Sequence, residues 1–210
     1  MTSEVFNMDC IEGMKQYPDN YFDLAVVDPP YGISINENMG IKKGQIKRHK
    51  KKVLWDDEIP SDEYFIELKR ISTNQIIWGG NYFPKIWEYG CKHFIFWDKK
   101  TPLGMSFSDG ELAWTSFNKA NRRVILRNSG NNVSIKKIHP TQKPIELYDW
   151  IFRNYAQPTD KILDTHLGSG SSRIAAHKAG LDFVGFELDK EYFDASVKRF
   201  EQYKLQLKLF

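Results

Sequence analysis

The stretch KILDTHLGSGSSRIAAHKAGLDFVGFELD, residues 161–189, decides the fold. KILDT (161–165) is a short apolar run that carries an acid, Asp164, at its end, and it reads as a strand. A loop holding Gly168 and Gly170 follows. SSRIAAHKAG (171–180) reads as a helix with Gly180 as the residue just past its end. DFVGFEL (182–188) is a second strand, with the acid Glu187 near its end. Strand, glycine loop, helix, strand is the repeating unit of a parallel α/β sheet. Glycines in such a loop let the backbone approach a ligand closely, and an acid closing the next strand can accept hydrogen bonds from ribose hydroxyls. That is nucleoside-cofactor architecture, although the same glycines also make an ordinary turn. A dinucleotide fingerprint needs a third glycine where Arg173 stands, and a Walker loop needs Gly-Lys-Ser/Thr, which is absent. Asp164 would repel a pyrophosphate and suits an ammonium. S-adenosylmethionine therefore fits better than NAD or ATP.

A second stretch, DLAVVDPPYGI (23–33), raises a different question. DLAVV is a fully apolar strand of the parallel type. It runs straight into Asp28, Pro29, Pro30 and Tyr31. Alone, this is a tight turn closing a strand, where Asp and Pro are both at home. An acid and an aromatic at a strand's carboxyl end also stand where ligands bind in open α/β sheets.

The rest of the chain supplies alternating elements. CIEGMKQY (10–17) reads as a helix capped by Asp9, with Glu12 completing a capping box. SDEYFIELKRIS (61–72) reads as a helix, and PIELYDWIFRNYA (144–156) as an amphipathic one with Pro144 in its first turn. NQIIWGG (74–80), HFIFWDK (93–99), ELAWTSF (111–117) and RRVILRN (122–128) read as strands. No helix separates the last two, which predicts an antiparallel pair. DKEYFDASVKRFEQYKLQL (189–207) is a long final helix. The expectation is an α/β fold: one domain over 1–210 with a doubly wound, mostly parallel sheet and an antiparallel portion from the middle.

Three segments together carry a resemblance. VVDPPYGI resembles the catalytic motif of the DNA amino-methyltransferases that modify adenine N6 or cytosine N4. LDTHLGSGSS resembles their S-adenosylmethionine loop, and HPTQKPIEL resembles the Lys-Pro segment preceding it. The catalytic motif comes first and the cofactor motif last, which is the circularly permuted β-type order. Three positions depart from the usual loop: Thr165 replaces a proline, His166 a phenylalanine, and Ser171 a threonine whose hydroxyl it keeps. The resemblance implies a Rossmann-like methyltransferase that uses S-adenosylmethionine. It implies catalytic roles for Asp28, Pro29, Pro30 and Tyr31, and cofactor contacts from Asp9, Cys10, Asp28, Lys143, Asp164, His166, Gly168, Ser169, Gly170, Ser171 and Glu187. In the family an aspartate heading the motif goes more with adenine and a serine more with cytosine. Asp28 and the Pro29 carbonyl would hold the two amine hydrogens, with that carbonyl's direction restricted by proline. Tyr31 would stack on an extruded base.

The chain of 210 residues carries a formal net charge of +3, which permits double-stranded DNA as a partner. The densest basic stretch is IKKGQIKRHKKK (41–52), inside an aperiodic segment, 34–54. Lys42, Lys43, Lys47, Arg48, Lys50, Lys51 and Lys52 there would contact phosphates, although a charge run is also often just a solvated loop. Residues 100–138 form a short candidate recognition insertion, with Arg122, Arg123, Arg127 and Asn128 able to reach base edges. So short an insertion implies a short recognition sequence or help from a second copy, as in a homodimer. WGGNYF (78–83) would line the base pocket, and Trp78, Trp97 and Trp114 read as core. Two cysteines and five scattered histidines form no disulfide framework or metal site. No apolar run approaches a membrane span, and no basic and apolar leader precedes the first strand. The chain reads as a cytoplasmic protein.

Overall fold

A computed structural model describes residues 1–33, 56–101, 108–127 and 138–207. In chain order the elements are β1 (Ser3–Asn7), α1 (Cys10–Met14), β2 (Phe22–Val27), α2 (Asp62–Ile71), β3 (Ser72–Trp78), a 3-10 turn (Gly80–Tyr82) and α3 (Pro84–Trp87). These are followed by β4 (His93–Asp98), β5 (Gly110–Thr115), β6 (Arg122–Ile125), α4 (Ile145–Tyr155), β7 (Lys161–Asp164), α5 (Ser171–Ala179), β8 (Asp182–Glu187) and α6 (Lys190–Leu207).

The strands form one eight-stranded sheet in the order β1-β8-β7-β2-β3-β5-β4-β6. Every neighbouring pair is parallel except the two that involve β5. The doubly wound, mostly parallel α/β sheet with an antiparallel portion is thus present. From β7 the chain winds one way, to β8, and from β2 it winds the other way, to β3. The order therefore reverses between β7 and β2, which pair directly through Leu24↔Ile162 and Ala25↔Leu163. In open α/β sheets the ligand crevice lies outside such a reversal, at the strands' carboxyl ends. Asp28 and Asp164 flank it.

Leu24, Ala25, Val26 and Val27 are all buried, as a central strand covered on both faces requires. On one side Leu24, Val26, Ile76, Trp78, Ile95 and Trp97 pack with Leu147, Ile151 and Phe152 of α4 and Ala175 and Ala176 of α5. On the other, Ala25, Val27, Ile77, Trp114 and Leu163 pack with Tyr64, Phe65, Leu68 and Ile71 of α2. Trp78, Trp97 and Trp114 are core residues, as expected. The α4 apolar positions recur at helical spacing, so one face of the helix is buried against the sheet.

Several expectations need correction. β5 and β6 run in opposite directions, yet they do not pair: β4 lies between them, antiparallel to β5 and parallel to β6. A short polar connection fixes relative direction more readily than adjacency. β1 gave no periodic signal, because an edge strand with exposed Glu4, Phe6 and Asn7 has little to alternate. Pro144 is the cap of α4 and not part of its first turn. Asp9 does cap α1, its Oδ1 accepting from the Ile11 and Glu12 amides at 2.9 and 3.1 Å, but the Glu12 side chain turns to Lys15 and not back to the cap. Gly180 ends α5 at φ 73°, as read from the sequence. Within the 100–138 stretch, Gly110–Thr115 and Arg122–Ile125 form strands of the central sheet. The whole basic segment 34–54, Lys42, Lys43, Lys47, Arg48, Lys50, Lys51 and Lys52 included, lies outside the described residues.

Candidate active site

The glycine loop is built by β7 and α5. Gly168 has φ 50° and Gly170 φ 70°, left-handed values that a side chain would strain. Gly170 is the residue from which α5 starts, with the Ile174 amide donating to its carbonyl at 3.1 Å. Asp164 Oδ1 accepts from the His166 amide at 3.0 Å and Oδ2 from the Ser172 hydroxyl. Burial raises its pKa to about 7 despite those donors. Burial also lowers His166 to about 4, so its ring is neutral at physiological pH. Ser169 and Ser171 share a hydroxyl contact of 3.1 Å, and Arg199 of α6 ties both to the helix by donating to the Ser169 carbonyl and the Ser171 hydroxyl.

Glu187 clasps this loop from the end of β8. Its Oε2 accepts from the Gly168 amide at 2.8 Å, and its Oε1 from the Asp189 amide at 2.9 Å. Met8, at the end of β1, donates its amide to the Glu187 carbonyl, which brings Asp9 and Cys10 to the same rim. Burial first, then Asp9, pushes the Cys10 thiol up to about 12, so it is an inert contact and not a nucleophile. His139 of HPTQKP lies on the outer side of the loop: a Cβ at Gly168 would sit 3.6 Å from its ring, which meets Tyr192 at 4.4 Å between centroids. Asp9, Cys10, Asp164, His166, Gly168, Ser169, Gly170, Ser171 and Glu187 thus share one rim. The donor set suits a ligand with vicinal hydroxyls at Glu187 and a cationic centre near Asp164.

The DPPY strand end forms the neighbouring half. Tyr31 donates its hydroxyl to Asp28 Oδ1 at 2.6 Å. The Lys143 ammonium is ion-paired with Asp28, sits 3.0 Å from Glu111 Oε2, and donates to the Tyr31 oxygen at 3.3 Å. Lys143 thus ends among the DPPY residues, with its side chain only 3% exposed. Lys99 pairs with the other oxygen of Glu111. Burial raises the Asp28 pKa in spite of Lys143. Burial works to raise Glu111 as well, but Lys143 and Lys99 together draw it down to about 2. For Lys143, burial is outweighed by the two carboxylates and its pKa is raised, so the ammonium stays charged.

The Tyr31 ring stacks on Tyr82, with centroids 5.0 Å apart at 14°, and it packs against Gly79 so closely that a Cβ there would lie 2.2 Å away. WGGNYF therefore lines the pocket of Tyr31. Asp56, the fourth residue past Lys52 at the end of the basic stretch, is buried and accepts from the Tyr31 and Gly32 amides at 2.8 and 3.2 Å. Arg122 and Arg123 lie at the beginning of β6, four strands from β2, about 19 Å at the usual ladder spacing. They stand toward the end of the sheet away from this rim, whereas Arg127 follows the rim end of the same strand.

Glu111, Lys99 and Asp56 carried no motif. Glu111 opens the run ELAW, and an acid at the start of a strand points away from the rim if the strand is parallel. β5 is antiparallel, so its first residues reach the rim where the other strands end. Among the described residues no cluster suited to a metal is present, and no helix is long and apolar enough to cross a membrane.

The geometry has counterparts in known proteins. Residues 78–198, more than half of the chain, match the profile of a family described as DNA methylase. The Type II methyltransferase M1.MboII of Moraxella bovis is 24% identical over 90% of this chain and 93% of its own length. The Type II methyltransferase M.HinfI of Haemophilus influenzae is 26% identical, over 93% and 67%. Among solved structures, the M1.HpyAVI–SAM complex superposes with a TM-score of 0.65 at 22% identity, covering 94% of this chain and all of that one. The cytosine-N4-specific PvuII DNA methyltransferase also gives 0.65, at 14% identity over 97% and 91%. By this match the chain belongs to the DNA methylase family, the N6/N4 amino-methyltransferases.

Proposed function

We propose that the protein transfers the methyl group of S-adenosylmethionine to the exocyclic N6 of an adenine extruded from double-stranded DNA. The observation that carries this reading is the shared rim. Asp28, Tyr31 and Lys143 converge beside the Gly168–Ser171 loop and Glu187, at the point where strand order reverses. The residues on the β7–β8 side fit S-adenosylmethionine, whose sulfonium makes the methyl group electrophilic. Glu187 would receive the ribose hydroxyls, with Asp9 and Cys10 beside the adenine. Asp164 would face the methionine ammonium while it holds the loop. Two structural neighbours are complexes with the same compound.

On the β2 side the chemistry is that of an amine. The adenine N6 lone pair is delocalised into the ring, and acceptors for its two hydrogens favour the pyramidal nitrogen that can attack. Asp28 and the Pro29 carbonyl are those acceptors, and Pro30 and Tyr31 hold their positions. Orientation and preorganised charge supply the rate. Tyr31 receives the base on its ring, and Tyr82 either yields that face or forms the second wall of the slot. The basic segment 41–52 would hold phosphates, and Arg127, at the rim end of β6, the flanking duplex. Adenine is favoured because the motif opens with Asp28 and not a serine. Cytosine N4 presents the same amine to the same acceptors, and a cytosine-N4-specific enzyme is among the structural neighbours. The test is incubation of the protein with unmethylated DNA and methyl-labelled S-adenosylmethionine, followed by nucleoside analysis. Label in N6-methyldeoxyadenosine is expected; label in N4-methyldeoxycytidine moves the substrate to cytosine, and no label in any nucleoside overturns the reading.

A further inference from the structure

The reaction needs one carboxylate near the amine, yet the rim holds a second acid between two lysines. Glu111 and Lys99 have side chains 21% and 16% exposed, Asp28 16%, and Lys143 3%. Burying two acids and two cations together is at best neutral for stability compared with apolar packing. Such a cluster in a cleft is a sign of function. Its arrangement is asymmetric. Glu111 has an ammonium on each oxygen, from Lys99 and Lys143, whereas Asp28 shares Lys143 with Glu111 and takes its other contact from the neutral Tyr31 hydroxyl.

We propose that Glu111 is a positioning residue for Asp28: anchored by Lys99, it holds part of the Lys143 ammonium away from Asp28 and so keeps the Asp28 carboxylate able to take a proton. This deepens the amine-methylation reading and rests on it. As the bond from the amine nitrogen to the methyl carbon forms, the carbon–sulfur bond breaks and its electron pair stays on sulfur. The nitrogen becomes cationic, one N–H proton passes to Asp28, and that bond's electrons return to nitrogen. A carboxylate neutralised entirely by Lys143 is a poor acceptor for that proton. The division of charge in the cluster matches this use: Glu111 is held near 2 and stays ionised, while Asp28 is raised. The groups facing Asp28 are Lys143 ahead of α4, Tyr148 on α4, Glu111 on β5, Asp164 on β7, Tyr64 on α2 and Tyr31 on its own loop, and Lys99 acts on it through Glu111. Removing the Glu111 charge leaves Lys143 to Asp28 alone and lowers its pKa. Removing Lys99 unshields Glu111 and raises it.

The experiment is a carbon-13 titration of the Asp28 carboxyl in the intact chain, without cofactor or DNA, for wild type, Glu111→Gln, Glu111→Asp and Lys99→Met. Asp28 is expected to titrate at lower pH in Glu111→Gln, at higher pH in Lys99→Met, and near wild type in Glu111→Asp. In single turnovers with DNA the acid limb of the pH–rate profile moves with Asp28, and the plateau rate of Glu111→Gln falls roughly tenfold or more. Thermal melting checks that each variant is folded; if Glu111→Gln is not, Lys99→Met decides. An Asp28 titration unmoved in the folded variants overturns the proposal. A wild-type chain that methylates no nucleoside overturns the amine-methylation reading instead, and the titration still stands as a separate measurement.

Discussion

At the scale of single residues, the site is a set of acids whose surroundings make them different. Asp28 and Glu111 share one lysine, yet burial leaves Asp28 raised while Lys143 and Lys99 together hold Glu111 down. Asp28→Asn keeps the shape and removes the acceptor charge. Methyl transfer should fall at least about a hundredfold, with cofactor affinity by calorimetry within a few-fold of wild type. Asp164 gives a pH prediction. Its pKa near 7 means that it is largely protonated below neutrality before a ligand arrives. A neighbouring cation stabilises the anion, so the complex binds fewer protons than the free protein, and affinity rises with pH up to about 7 and then levels. S-adenosylmethionine affinity should therefore drop toward about tenfold per pH unit below 7, with proton release visible in calorimetry run in buffers of different ionisation heat. Equal affinity at about pH 5.5 and about pH 7.5, one below and one above that pKa, would remove Asp164 from the ammonium site.

At the scale of elements, the DPPY loop is held from two sides. Gly79 ends β3 at φ 70° with its α-carbon against Tyr31. Gly79→Ala would strain the backbone and drive the ring aside, so methyl transfer should fall sharply while the protein remains folded by circular dichroism. Asp56 fastens the loop by its backbone amides. Asp56→Ala leaves those amides without their acceptor, at a cost of about 1–3 kcal/mol, measurable by urea unfolding. Because Asp56 stands only four residues past Lys52, the same change should also weaken DNA binding; a loss of stability with DNA affinity intact would separate the two. Elements with a strong period were legible in the sequence, and α4 and α6 are examples. β1 was not, because an exposed edge strand has no apolar alternation.

At the scale of the whole molecule, the sheet order makes the site. The two motif-bearing strands lie at opposite ends of the chain and side by side in the sheet. The rim collects charges of both signs at the pocket, and the chain's excess of positive charge includes the lysine run after β2. Charge-neutralising Lys50, Lys51 and Lys52 together should reduce the slope of log affinity against log salt by up to about 3 for duplex DNA; an unchanged slope in a titration series would exclude phosphate contacts there.

The sequence by itself determined the fold class and the principal motifs, because these are local: apolar runs ending in acids, glycines where the chain must turn left-handed, and proline after a strand. It also determined the order of the two halves, from which the family could be read. Only the tertiary structure decided that Lys143 meets Asp28 and not the glycine loop, that β4 separates β5 from β6, and that Glu111 stands in the site. The physical reason is strand direction. A side chain at the head of a strand reaches the ligand rim only if that strand runs against its neighbours, and that is settled by how the sheet packs, not by the residues next to it in the chain.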